Sequence, residues 1–262
     1  MSYKLSACIV AYNNYEDVMG AIESLEKYTS ITLEKKIYIV DNGVAISNHD
    51  DVIKFKESIQ NYKDIYYIDA GENKGFGKGH NFVLDIIDSE YHAIINPDII
   101  FCEDALTKII NWMDEHQDIG MVIPEIVDKD GERQKVYRNE LTVFDVFIRF
   151  FCKSIFPGRV KKHTLQNMDF TKPFQVPFGQ GSFLVIKSKL FKTLKGFDDN
   201  YFMYVEDADL CKRVNQISKL MYYPGARVIH KWGRESHRNK MLFIYHTKSM
   251  WYYFKKWGVK WF

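Results

Sequence analysis

The sequence predicts an α/β fold with a mostly parallel central sheet flanked by helices, and its first hundred residues carry the evidence. Apolar runs of strand length occur at residues 5–12, 36–40, 65–68 and 92–95. Between the first two runs, apolar residues recur at helical spacing over residues 18–28. Because strands that alternate with helices need crossover connections, the sheet is expected to be mostly parallel and covered on both faces.

Polar residues stand where these predicted strands end. Asn13 and Asp41 follow the first two runs, Asn73 lies in the glycine-rich stretch after the third, and Asp98 follows the fourth. In open sheets of this kind, ligands bind beyond the carboxyl ends of the strands. The sequence therefore predicts one crevice on which the four polar residues converge.

The same periodicities predict further elements in the rest of the chain, although the alternation weakens. They are helices at residues 82–87, 105–113 and 210–217, and strands at 121–126, 182–186 and 226–229. A wide apolar stripe at helical spacing covers residues 143–155 and is followed by a basic turn. No repeat or low-complexity linker interrupts the chain, so we expect its halves to share one core.

Composition excludes several classes of protein. With 262 residues, 46% of them hydrophobic and 27% charged, the chain can bury a sizeable core. A net charge of +2 is too balanced for electrostatic binding of nucleic acid by the whole chain. The four cysteines are widely spaced, which favours reduced thiols and a cytoplasmic protein. We find no signal segment and no apolar run of membrane-spanning length, and therefore expect no spanning helix.

Two short motifs in the first half are candidates for binding. The glycine-rich stretch at residues 71–81 lacks the spacing of a phosphate loop or a dinucleotide fingerprint, which leaves an anion-facing turn before a helix or a plain loop. Asp98, in the sequence Asn96-Pro97-Asp98, could hold Mg²⁺ or Mn²⁺ through its carboxylate. Ordinary turn chemistry is the alternative for this second motif.

The second half adds a cluster of acids and a histidine. Glu206, Asp207 and Asp209 precede an apolar helix and follow the aromatic segment 201–204. They could be favourable acids at a helix N-terminus, or they could include a general base in a pocket for an organic acceptor. His230 ends a predicted strand and is a structural histidine or a metal ligand.

Five motifs together resemble the inverting glycosyltransferases of family 2 with the GT-A fold, and within them the bacterial rhamnosyltransferases of O-antigen and other surface polysaccharides. The first four motifs are the stretches at residues 9–13, 40–42, 73–81 and 94–98. The fifth is the most specific, because Gly181-Ser182-Phe183-Leu184, Gly196-Phe197-Asp198 and the segment 202–211 follow in the order and spacing of this branch. The matches extend from about residue 5 to residue 236.

The resemblance implies roles for individual residues. Ala11, Asn13 and Asp41 would bind the base and ribose of a nucleotide-sugar, and Asn73 with Gly75 would lie near its sugar or diphosphate. Asp98 would be the metal-binding acid of the family's D-x-D element, in which Asn96 replaces the first aspartate, and His230 would be a second ligand of Mg²⁺ or Mn²⁺. Asp207 would be the catalytic base, with Gly181, Glu206 and Asp209 on the acceptor side, and Ser236 would contact diphosphate.

The resemblance also implies substrates and a division of the chain. Residues 1–235 would form the GT-A domain, with a nucleotide-sugar-binding half at 1–100 and an acceptor and catalytic half at 101–235. The expected reaction moves L-rhamnose from dTDP-L-rhamnose onto a polyprenyl-diphosphate-linked saccharide. Transfer of galactose, galactofuranose or N-acetylglucosamine, and an inactive assembly scaffold, are the alternatives. A nucleotidyltransferase is disfavoured because no G-x-G-T-R start precedes the first helix.

The last 27 residues, 236–262, combine lysines with many aromatic rings and contain no acid. Phe243, Met250, Phe254, Trp257 and Trp261 recur near helical spacing, which is typical of an amphipathic helix lying in a membrane interface. We therefore expect a peripheral protein on the inner leaflet, near a lipid-linked acceptor. The alternative is that this segment and the stripe at 143–155 both pack against the core.

Overall fold

The computed structural model describes residues 3–152, 154–231 and 240–262. Within these ranges the chain forms a nine-stranded sheet in the order β3-β2-β1-β4-β10-β6-β11-β5, with β8 paired to β11, and a small two-stranded sheet of β7 and β9. The strands are β1 (Tyr3–Ala11), β2 (Lys35–Asp41), β3 (Ile65–Asp69), β4 (Ser89–Ile95), β5 (Ile99–Phe101), β6 (Ile119–Val127), β7 (Tyr137–Arg138), β8 (Phe174–Gln175), β9 (Phe178–Gly179), β10 (Phe183–Lys187) and β11 (Lys219–His230).

Helices cover the sheet and connect its strands. They are α1 (Tyr15–Tyr28), α2 (His49–Ile59), α3 (Phe76–Asn81), α4 (Ala105–Glu115), α5 (Val143–Phe147), α6 (Pro157–His163), α7 (Ser188–Thr193), α8 (Glu206–Ile217) and α9 (Lys240–Trp257). In the described part of the chain, no helix is both long enough and apolar enough to cross a bilayer.

The predicted parallel arrangement is confirmed in the first half of the sheet. Strand β1 pairs in parallel with both β2 and β4, and β2 pairs in parallel with β3. The central strand is buried from Leu5 to Ala11, as expected when helices cover both faces. The carboxyl ends of these strands therefore lie along one edge.

Strand β10 joins the two halves of the chain in one sheet. It lies antiparallel between β4 and β6, with Phe183 opposite Ile95 and Val185 opposite Val122. Strand β6 in turn pairs in parallel with β11. Because the sheet continues from residues of the first half to residues of the second, both halves contribute to one core and one edge.

The helix predicted at residues 82–87 is wrong in position. Helix α3 lies earlier, at Phe76–Asn81, and hydrogen-bonded turns follow it. Phe82 and Ile86 of the predicted stripe are exposed, whereas Val83 and Ile87 are buried. The side chain of Asn81 explains the break, because it accepts from the amide of Phe197 and donates to the carbonyl of the same residue.

The apolar stripe at residues 143–155 is not one regular helix. Helix α5 passes directly into a π-helical turn at Ile148–Cys152. The amides of Val143 and Phe144 donate to the carbonyls of Lys260 and Trp261. This stripe and the C-terminal segment therefore contact each other.

Helix α9 packs its inner face on residues from the second half of the chain. Met250 and Tyr253 are buried, and the hydroxyl of Ser249 donates to the carbonyl of Met203 at 2.8 Å. Met250, Phe254 and Trp257, which we predicted to face a membrane, lie against the core instead. For these three residues the prediction is wrong, because the periodicity of a helix does not reveal what its apolar face contacts, whereas Phe243 and Trp261 of the same predicted stripe are exposed.

Candidate active site

A cleft of about 390 Å³ opens at the carboxyl edge of the sheet. It brings together several predicted site residues from distant parts of the sequence. They are Asn96, Asp98, Gly181, Glu206, Asp207 and His230. A single site therefore combines the loops after β4 and β9, the N-terminus of α8 and the end of β11.

Asp207, in the first turn of α8, accepts hydrogen bonds from two backbone amides. The amide of Gly181 donates to its Oδ2 at 3.0 Å, and the amide of Ala208 donates to its Oδ1 at 2.8 Å. Burial raises the pKa of Asp207, while these two amides and the nearby arginines Arg138 and Arg149 oppose the rise. A carboxylate oriented in this way can accept a proton from a hydroxyl group in the cleft.

The turn before α8 has a strained backbone. Tyr204 has a φ of 69° and Val205 a φ of 70°, the left-handed region that a β-branched residue rarely occupies. Each such residue costs about 1–3 kcal/mol, so the surrounding packing must hold the turn. This turn places Glu206 and Asp207, the first two residues of α8, in the cleft.

Glu206 is the buried neighbour of Asp207. Burial and, next, the charge of Asp207 raise the pKa of Glu206 to about 8. Its Oε2 is buried and accepts no hydrogen bond from the described residues. Glu206 therefore favours its protonated form more than an exposed glutamate does.

Asp98 and His230 meet in the same cleft. Nε2 of His230 lies 3.2 Å from Oδ2 of Asp98. The side chain of Gln134 donates to the carbonyl of His230 at 2.7 Å, and its Oε1 lies 2.8 Å from Nδ1 of the same residue. Since the amide nitrogen of Gln134 must donate to that carbonyl, its Oε1 accepts from Nδ1–H, and Nε2 is the nitrogen of His230 that faces Asp98.

This pair fits a divalent cation. A carboxylate and an imidazole whose second nitrogen is fixed by a hydrogen bond are ordinary metal ligands. Oδ1 of Asn96, which also lines the cleft, is buried and has no hydrogen-bond partner among the described residues. The described ranges contain no cluster of three or more His, Cys, Asp or Glu side chains around one point, so other ligands would have to complete the coordination.

The residues predicted to bind the base and ribose lie at the ends of β1 and β2. Ala11 is buried, whereas Asn13 is exposed in a left-handed conformation, with a φ of 54°. Asp41 is 0% exposed, and its carboxylate accepts from the hydroxyls of Tyr15 and Tyr67, both at 2.8 Å. The structure gives Asp41 a role in shaping this edge, and its contact to a nucleotide stays a prediction.

Asn73 and Gly75 shape the loop before α3. Oδ1 of Asn73 accepts from the amide of Gly75 at 2.9 Å. Gly75 has a φ of 82°, and a Cβ atom there would lie 1.9 Å from the carbonyl oxygen of Phe202. Glycine is therefore required for this loop to approach the turn at Phe202, and any contact of these residues with a sugar stays a prediction.

The structure corrects the prediction for Asp209. This residue is 0% exposed and does not line the cleft. Its carboxylate accepts from Arg213 at 2.7 Å, and from Lys256 and Trp257 of α9, both at 2.8 Å. Two residues after Asp207 along α8, the side chain points away from the site, because successive helical positions are about 100° apart.

Sequence analysis missed several polar residues of the site. Arg138, Arg149, His163 and His246 line the cleft, and Gln134 hydrogen-bonds to His230. Arg149 did leave a signal, since it and Lys153 are the two cations inside the apolar stripe at 143–155. The others belong to no motif, and only the fold brings them to the site. Ser236 lies outside the described residues.

Solved structures define the class of the fold. The chain superimposes on GalNAc-T7, crystallised with UDP, GalNAc and Mn²⁺, with a TM-score of 0.68 and 17% identity, covering 91% of this chain and 45% of that one. It also superimposes on the mannosyltransferase PcManGT from Pyrobaculum calidifontis, in complex with GDP-Man and Mn²⁺, with a TM-score of 0.61 and 13% identity, covering 90% and 59%. The fold is that of GT-A glycosyltransferases, which confirms the predicted fold class.

Sequence comparisons define the family. Residues 6–195 match the model of glycosyl transferase family 2, and the chain belongs to this family. It is 26% identical over 255 residues to the rhamnosyltransferase WbbL of Escherichia coli (strain K12), covering 94% of this chain and 90% of that protein. It is 23% identical over 220 residues to the N-acetylglucosaminyl-diphospho-decaprenol L-rhamnosyltransferase of Mycobacterium tuberculosis, covering 74% and 71%.

Proposed function

We propose that this protein is an inverting glycosyltransferase that moves L-rhamnose from dTDP-L-rhamnose onto a saccharide linked through diphosphate to a polyprenyl lipid. The observation that carries the proposal is the position of Asp207. One of its oxygens is fixed by the amide of Gly181, and it shares the cleft with the pair of Asp98 and His230. Similarity to two rhamnosyltransferases, one of them named for a lipid-linked acceptor, supports the choice of sugar and acceptor.

In this proposal Asp207 is the general base. Its carboxylate takes the proton from an acceptor hydroxyl while that oxygen bonds to the anomeric carbon of the donor. The bond from this carbon to the diphosphate oxygen breaks at the same time, and the nucleoside diphosphate leaves from the opposite face. The two backbone amides keep the carboxylate aimed at the hydroxyl, which contributes through orientation.

Asp98 and His230 would hold Mg²⁺ or Mn²⁺ in this scheme, with Asn96 beside them. A bound cation would supply positive charge to stabilise the leaving diphosphate. Gln134 keeps His230 in the tautomer that presents Nε2. Asn13, Asp41, Asn73 and the loop at Gly75 would position the nucleotide and sugar at the ends of β1 and β2.

The proposal includes association with the inner face of the cell membrane. The outer face of α9 presents Ile244, Lys248, Trp251 and Lys255, and Trp251 is 65% exposed. An outer face that mixes an aromatic ring with lysines is suited to an anionic membrane interface. A protein held there would meet a lipid-linked acceptor.

The test is a transfer assay with a panel of donors. The full-length protein is incubated with Mn²⁺, a short-chain prenyl-diphosphate saccharide and dTDP-L-rhamnose, UDP-galactose, UDP-galactofuranose or UDP-N-acetylglucosamine. We expect transfer from dTDP-L-rhamnose, with inversion at the anomeric carbon seen by NMR of the product. Transfer only from a UDP-sugar would favour another donor, and no transfer from any donor would favour a scaffold.

A further inference from the structure

Two arginines line the cleft beside Asp207 without a carboxylate partner. Arg138 and Arg149 both contribute to the wall, and among the described residues no Asp or Glu oxygen lies within 4.0 Å of either guanidinium. Nη2 of Arg138 makes a long contact of 3.5 Å to Oε1 of Gln180, and its buried Nε has no hydrogen-bond partner there. Two cations therefore face the cleft with unused donors.

Nearby acids are already engaged. Asp145, which also lines the cleft, accepts from Nε of Arg159 at 2.6 Å and from its Nη2 at 2.8 Å. Asp207 accepts hydrogen bonds from two backbone amides. The positive charge of the two guanidinium groups is therefore not paired with either acid.

The surrounding histidines do not add to this charge near neutral pH. Burial, and next the positive charges around it, lower the pKa of His246 to about 4. Burial likewise lowers the pKa of His163 to about 4, although Asp145 opposes the shift. The positive charge is thus concentrated on two guanidinium groups, whose planar forks match phosphate oxygens.

Apolar side chains line the same cleft as the two arginines. They are Leu141, Val146 and Met250. A ligand with an anionic group and an apolar chain would match this arrangement. A nucleoside diphosphate, which has no apolar chain, would leave the apolar side unused.

We propose that Arg138 and Arg149 form a diphosphate-binding subsite for the acceptor, a saccharide attached through diphosphate to an apolar chain. This inference rests on the proposed function. The diphosphate would lie one sugar ring away from the hydroxyl that faces Asp207, and the chain would leave past the apolar wall. The donor diphosphate is the other source of the same chemistry, and its proposed position is beside Asp98 and His230.

A binding assay that needs no turnover tests the subsite. Calorimetry on the full-length protein measures the affinity for farnesyl diphosphate, farnesyl monophosphate and dTDP, each with Mn²⁺. The variants are Arg138→Gln and Arg149→Gln, with Arg149→Lys as the charge-conserving form. Lys161→Gln is the matched control, because it removes a charge from an exposed residue of α6 that does not line the cleft.

We expect each glutamine variant to bind farnesyl diphosphate about 10- to 100-fold more weakly. The lysine variant should fall in between, and dTDP binding and the control should be unchanged. Equal weakening of dTDP and farnesyl diphosphate would overturn the proposal and assign the arginines to the donor. Unchanged affinities would overturn it outright. Arginine-dependent binding of farnesyl diphosphate without any sugar transfer would support the subsite and contradict the proposed function alone.

Discussion

The amide of Gly181 donates a hydrogen bond of 3.0 Å to Oδ2 of Asp207, two residues that are 26 positions apart in the sequence. A side chain on Gly181 would press on this contact, because its Cβ would lie 3.1 Å from Cβ of Asp207. Gly181 after β9 and Asp207 in the first turn of α8 therefore form one structural unit. The predictions below start from this unit and move outward.

Asp207→Asn should lower kcat by about 10²- to 10⁴-fold, because the amide cannot accept the proton from the acceptor hydroxyl. Donor affinity should change little, since the nucleotide is proposed to bind at the ends of β1 and β2. Single-turnover kinetics and a dTDP titration measure the two effects. Near-normal turnover would remove Asp207 from the role of base and leave Glu206 as the remaining carboxylate of this turn in the cleft.

Glu206→Gln should make the stability of the protein less sensitive to pH. The pKa of Glu206 rises on folding from its ordinary value of 4.5 to about 8, so between these values the folded protein keeps a proton that the unfolded chain has released. The free energy of unfolding therefore falls as pH rises through this window, by at most about 1.4 kcal/mol per pH unit.

Melting temperatures of variant and parent measure this effect. Their difference should widen in favour of Glu206→Gln from pH 5 to pH 8 and then stay constant. Glu57→Gln, on the exposed face of α2, should show no such trend. A constant difference for Glu206→Gln would mean that the carboxyl is ionised in the folded protein throughout the window.

Gln134→Leu should raise the Mn²⁺ concentration required for half-maximal activity by about 10- to 100-fold, because Nδ1 of His230 loses the acceptor that orients the ring. Activity as a function of Mn²⁺ is the measurement, and Gln60→Leu, at an exposed position after α2, is the control. Asp98→Ala should have the larger effect. Full activity of the parent protein in excess chelator would contradict a metal at this pair.

Substitutions on the two faces of α9 should affect membrane binding and stability separately. Trp251→Ser changes the outer face, so it should weaken co-sedimentation with anionic vesicles and leave the melting temperature unchanged. Trp257→Phe removes the hydrogen bond to buried Asp209, so it should lower the melting temperature and leave vesicle binding unchanged. Deletion of α9 does not separate these effects, because it also removes Lys256 and Trp257 from Asp209.

Absence of vesicle binding by the parent protein at low salt would contradict the membrane proposal. Equal losses of vesicle binding in both tryptophan variants would show that the outer face has no separate role. High salt should weaken binding of the parent, since part of the attraction is between lysines and anionic lipids.

The sequence by itself determined the alternation of strands and helices and the positions of Asp98, Asp207 and His230. These features are local, because apolar periodicity and short motifs are written along a contiguous stretch of chain. The sequence also indicated the family, because the order and spacing of the motifs can be read without any knowledge of packing.

Only the tertiary structure decided which residues each face of a helix contacts. Asp207 and Asp209 are two residues apart, yet the first lines the cleft and the second is enclosed by Arg213, Lys256 and Trp257. Arg138, Arg149 and His246 reach the same cleft from three separate elements. The physical reason is that helical periodicity fixes the angle between side chains but not the partner of each face, which depends on contacts between residues far apart in the sequence.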